Sequence, residues 1–138
     1  MKTLLIVFLL LQAGQTKAYC ALYPSGAQKA RVRAIIAQVG KISSGSASLE
    51  DFGRATMGQS KAILAMGPPA VYALSNCLGD PDWKVRFWIT DMLGYLDNPD
   101  AKRPLKRVLD SSSEKVEVKR RAGESLKRLD TPIEHGIN

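Results

Sequence analysis

This chain holds one histidine, two cysteines and few aromatic side chains, and each scarcity removes a class of function. His135 sits past the last periodic segment, so neither a serine nor a cysteine nucleophile has a positioned base. Cys20 and Cys77 are far apart, and no H-x-x-x-H or C-x-x-C spacing occurs, which removes the usual zinc ligand sets. Gly45 and Gly53 fit no phosphate-loop fingerprint, and Asp97, Asp100 and Asp110 read as cap and turn acids. No alternating apolar pattern marks a strand, so the expected fold is all-α. These absences call for no cofactor and no metal, and argue against an enzyme.

Long apolar runs are equally scarce. Leu4 to Leu11 is unbroken, with Lys2 before it and the polar Gln12 to Lys17 after it. It falls well short of the about 20 apolar residues that span a bilayer, and no later segment qualifies as a transmembrane helix. Its length and flanks, with small residues at Thr16 and Ala18, read as an export signal over residues 1–18, cleaved near Ala18. The expected location is therefore periplasmic or secreted. Tyr19 is bulky where a lipidation site before Cys20 needs a small residue. Export permits a Cys20–Cys77 disulfide; the alternative for Cys77 is a small buried apolar residue. The remainder is long enough for one domain with a real core. Its basic excess, part of a net charge of +7, suits acidic surfaces. It does not by itself indicate nucleic acid, and export makes that partner unlikely.

What the chain does contain is helical periodicity. Within 19–47, an N-terminal segment, Val32, Ile35, Ile36, Val39 and Ile42 share one face of a helix over Ala27–Ile42, ended by Ser43 to Ser46. Ser48, followed by Glu50 and Asp51, predicts a helix running to about Met66, weakened by Gly53 and Gly58 and stopped by Gly67. Pro68 and Pro69 open the next helix, expected to end near Leu78. Asp82 caps Trp83 to Leu96, Asn98-Pro99 opens a helix to Leu109, and Glu114 to Leu129 forms the last. Residues 130–138 have no periodicity and should form a frayed, flexible tail.

Two of these helix pairs are near copies. Ala70, Leu74 and Leu78 map onto Ala101, Leu105 and Leu109 with an offset of about 31 residues, and Val85 maps onto Val118 after a longer turn. The first helix of each carries Pro, Ala and two spaced leucines; the second opens on an acid, a valine and a base. This pattern resembles HEAT-like repeats, in the short form named after phycobilisome lyases, over roughly Leu49 to Leu129. The resemblance implies a short α-solenoid of antiparallel helix pairs over 48–129, two and a half units long, with the Ala27–Ile42 helix as an N-terminal cap. It also implies that Asp82, Arg86 and Lys119 support neighbouring repeats through polar ladders.

Two clusters are candidates for binding. Trp83, Phe87 and Trp88 lie on the middle helix, and Arg120 and Arg121 stand at the equivalent positions one repeat on. They read either as interior residues of a helix packed on both sides or as an exposed anchor for a protein partner. Lys102, Arg103, Lys106 and Arg107 form a basic outer face, which is either merely solvated or a docking site for an anionic surface. The reading that unites these features is an exported, non-catalytic protein-binding or scaffolding module. The alternatives are an electrostatic binder of a polyanion or nucleic acid, against which the missing interleaved aromatics count, and an accessory or lyase-like enzyme component.

Overall fold

The computed structural model describes residues 25–131. The expected export signal, Cys20, His135 and most of the expected tail lie outside the described residues. Among the described residues every regular element is helical: α1 Gly26–Gly45, α2 Leu49–Ala55, α3 Met57–Met66, α4 Ala70–Ser75, α5 Trp83–Tyr95, a 3-10 turn Pro99–Ala101, α6 Lys102–Asp110 and α7 Val116–Asp130. The all-α expectation holds.

Local hydrogen bonding moved several boundaries. Helix α1 starts one residue early because Ser25 and Gln28 form a reciprocal cap: the Gln28 amide donates to Ser25 Oγ at 3.2 Å, and the Ser25 amide donates to Gln28 Oε1 at 2.7 Å. It continues through the serines expected to end it, since the Ser44 and Ser46 hydroxyls donate to the carbonyls of Gly40 and Ile42. The single helix expected from Ser48 to Met66 is two helices. Buried Thr56 interrupts it with ψ near 5°, and its hydroxyl donates to the Phe52 carbonyl at 2.9 Å, a back-bond that bends helices. Helix α4 ends at Ser75 rather than Leu78. Gly67, at φ 75°, supplies the left-handed residue that ends α3.

The packing order shows a complete array. Helix α1 packs on α3 and α4, α4 packs on α5 and on the 3-10 turn, and α6 packs on α7. Across the other layer, α3 packs on α5 and α5 on α7. Helix α1 thus stands to α4 as α4 stands to the turn that opens α6. Helix α1 lies against α3 and α4 at the N-terminal end of the array, the place expected of the cap. Val32, Val39, Phe52, Ile63, Leu74, Ile89, Leu93, Leu105 and Val118 are fully buried between the layers. Each such side chain contributes roughly 1.5–3 kcal/mol through its removal from water.

The tightest seam joins α5 to α7. A Cβ at Gly94 would stand 2.6 Å from Ser125 Cβ and 2.5 Å from its Oγ, so only glycine admits this approach. The buried Ser125 hydroxyl donates to the Thr90 carbonyl at 2.9 Å, fixing the register of the two helices. We therefore expect Gly94→Ala to cost about 1–3 kcal/mol through overpacking. Gly53→Ala, in α2 with nothing within 4 Å of an added Cβ, should be neutral or stabilising by up to about 1 kcal/mol. Thermal or urea unfolding of the two variants checks the opposite signs.

Candidate functional site

The α5–α7 seam gathers Trp83, Phe87 and Arg121 of the residues singled out in the sequence. Phe87, Asp91 and Tyr95 recur every fourth residue on α5, so they form one stripe along the helix. Against it α7 lays Arg121 and Arg128, two turns apart on one stripe. The Arg121 guanidinium sits 4.8 Å from the Phe87 ring centroid, and Arg128 sits 3.7 Å from that of Tyr95. Both reach Asp91, Arg121 at 3.3 Å and Arg128 at 3.7 Å. Below them Lys115 lies 5.8 Å over the Trp83 ring. Burial pushes the Asp91 carboxyl above its ordinary range, and the charges of Arg121 and Arg128 only partly offset this.

This geometry decides between the two readings of the aromatic cluster. Phe87 and Trp88 are 8% and 4% exposed and belong to the core, so they are not an exposed anchor. Trp88 is buried because α3 covers its other side, where its indole N–H donates to Ser60 Oγ at 2.9 Å. Trp83 is half-buried. Arg121 is engaged by Asp91, Phe87 and Glu124, while Arg120 is exposed and paired with Glu124 along its own helix at 2.7 Å. The exposed aromatic of the seam is Tyr95, half open to solvent.

Arg86 is a second tie between units, the structural role that the resemblance implied for it. Asp82 spends its carboxylate on capping α5, where Lys84 N–H donates to Oδ1 at 2.9 Å. Arg86 instead donates through Nε and Nη2 to the two Glu114 oxygens, both at 2.9 Å, and through Nη1 to the Asp80 carbonyl at 2.7 Å. Glu114 read as a helix start; its alignment with the loop before Val85 was the available signal. Burial works to raise its carboxyl, but the Arg86 hydrogen bonds, the Lys115 amide and the Arg86 charge outweigh it and hold it below its ordinary value.

The basic face on α6 is open. Lys102 is paired with Asp130 at 2.7 Å. Arg103, Lys106 and Arg107 are exposed and make no hydrogen bond or ion pair among the described residues. Together with Pro99, Asp100 and Asp110 they line an open groove of about 560 Å³. Cys77 is half-buried beyond the end of α4, and burial pushes its thiol up; Cys20, the other half of the expected bridge, lies outside the described residues. Among the described residues no group of three His, Cys, Asp or Glu side chains could hold a metal ion, and no helix is long and apolar enough to cross a membrane.

Comparison with protein families matches residues 59–134 to HEAT repeats, more than half of the chain. The chain belongs to the HEAT-repeat family. Neither the curated proteins nor the solved structures contain a match. The HEAT match begins inside α3 and covers α4 to α7.

Two outcomes follow from these ties. Phe87→Ala should lower stability by about 3–5 kcal/mol, the range for a buried ring; a melting temperature left unchanged would return Phe87 to the surface. Glu114, with a folded pKa below its unfolded value, contributes stability that is fully present above the ordinary carboxylate range. That contribution is lost as pH falls through the folded pKa. Asp91 has the opposite sign: its raised pKa makes its ionised form a burden at neutral pH that acid relieves. Glu114→Gln should therefore flatten the acid limb of a stability–pH profile, and Asp91→Asn should steepen it.

Proposed function

We propose that this HEAT-repeat chain is an exported, non-catalytic binding or scaffolding module that docks an acidic protein surface against α6. The observation that carries the reading is the contrast in how cations are used. Arg86, Arg121 and Arg128 are consumed by partners within the fold. Arg103, Lys106 and Arg107 stand exposed without ion pairs along one groove. Unpaired cations on a rigid helix keep their side-chain donors for an incoming carboxylate. Export rests on the Leu4–Leu11 run and the small residues before Tyr19. The absence of catalysis rests on the lack of any nucleophile–base pair in the sequence.

The same cations would also attract a polyanion, and salt separates the two. Replacing Arg103, Lys106 and Arg107 together by alanine should weaken a partner captured from the extracytoplasmic fraction by about tenfold or more at low ionic strength, chiefly through association rate. The fold should be left within about 0.5 kcal/mol, as for surface substitutions. For a polyanion the affinity itself would fall steeply and linearly on a log–log salt plot. A captured partner whose binding ignores both the triple variant and salt would overturn the α6 assignment.

A further inference from the structure

A second groove on the same edge has the opposite chemistry. The turns that open successive units, Gly67 to Pro69 and Asp97 to Asp100, lie side by side. The Asn98 side-chain amide donates across them to the Pro68 carbonyl at 3.0 Å, and Asn98 Oδ1 accepts from the Asp100 amide at 3.0 Å. Between them is an open groove of about 510 Å³ walled by Pro68, Pro69, Pro99 and Tyr72, with the carboxylates of Asp97 and Asp100 on it. Among the described residues no lysine or arginine lines it, in a chain with a net charge of +7. The Tyr72 hydroxyl donates to Asp100 Oδ2, which fixes that carboxylate against the ring. Asp97 is exposed and makes no hydrogen bond or ion pair among the described residues.

We propose that this groove receives an arginine side chain of a protein partner. Three proline rings and a tyrosine offer apolar walls to an aliphatic stem, and the flat, weakly hydrated guanidinium suits stacking beside the phenol ring. The two carboxylates of the lining complement its charge and can accept its N–H donors. A lysine ammonium, compact and strongly hydrated, gains less from such walls. The assignment stands apart from the α6 reading, although Pro99 and Asp100 line both grooves.

The test is a titration of the isotopically labelled full chain, followed by NMR, with the capped peptide Gly-Arg-Gly. Matching peptides carry citrulline, which is uncharged, or norleucine, which is only apolar. The arginine peptide should shift the amides of Tyr72, Asp97, Asn98 and Asp100, and the citrulline and norleucine peptides should not. Asp97→Asn keeps a residue type that tolerates the left-handed backbone there (φ 49°). It should weaken the arginine peptide by about two- to fivefold, the scale of one solvent-exposed charge pair. Absent shifts at these turns, equal shifts from citrulline or norleucine, or full affinity in Asp97→Asn would each overturn the proposal. The triple α6 variant should titrate like the parent chain, so failure here and failure of the α6 assignment are separable.

Discussion

Everything on the α5–α7 side depends on two helices being able to approach at Gly94. Because no side chain stands there, Ser125 reaches the Thr90 carbonyl and Arg128 folds across α5 onto Tyr95. The approach also sets the distance at which Arg121 meets both Phe87 and Asp91. A methyl group at this position would separate the helices and loosen the hydrogen bond, the stacked guanidinium groups and the ion pairs together. The polar ties are therefore secondary to a steric fact: they are well placed only because the backbones are close.

Successive units are joined by a small set of long-range polar contacts, some at the surface and some, such as Ser125 to Thr90, within the buried layer. Lys84 donates to the Ser46 carbonyl, Trp88 to Ser60, Asn98 to Pro68, Arg86 to Glu114 and Ser125 to Thr90. The apolar layer supplies most of the free energy but is tolerant of sliding, since one leucine contact resembles the next. Directional bonds between units remove that freedom. Arg86 adds orientation, because its guanidinium bridges the loop before its own helix to the loop before the next. Leaving either partner of that half-buried pair alone is costly, whereas the pair itself is worth little as net stability.

The array was legible in the sequence to the extent that packing is periodic. Val85 and Val118, Leu74 and Leu105, and Ala70 and Ala101 are all buried, as their shared spacing requires. What stayed hidden was set by single hydrogen bonds or by neighbours distant in sequence. Thr56 breaks a helix through its own hydroxyl, and Ser25 begins one through Gln28, events with no periodic trace. On α5 Phe87 lies roughly opposite buried Val85 and Trp88 to one side of it, and the sequence does not say that α7 and α3 cover those sides. Glu114 was visible as an acid before a helix, but its use by Arg86 is a tertiary fact. The α6 cations were legible as a face, because a short helix with one strongly apolar side leaves little doubt about the other.

Charge on this molecule is sorted by geometry and not by residue type. Arginines that meet a ring and a carboxylate across the α5–α7 approach become part of the fold, while Arg103 and Arg107 on α6 are exposed and keep their donors. At Pro99 and Asp100 the basic groove meets the acidic, proline-walled one, so a single edge of the array presents both signs within one turn of chain. An edge of uniform sign would attract an oppositely charged partner in any orientation. One that changes sign at a fixed point favours a partner whose charges run in the matching order, and this complementarity supplies register where affinity alone would not.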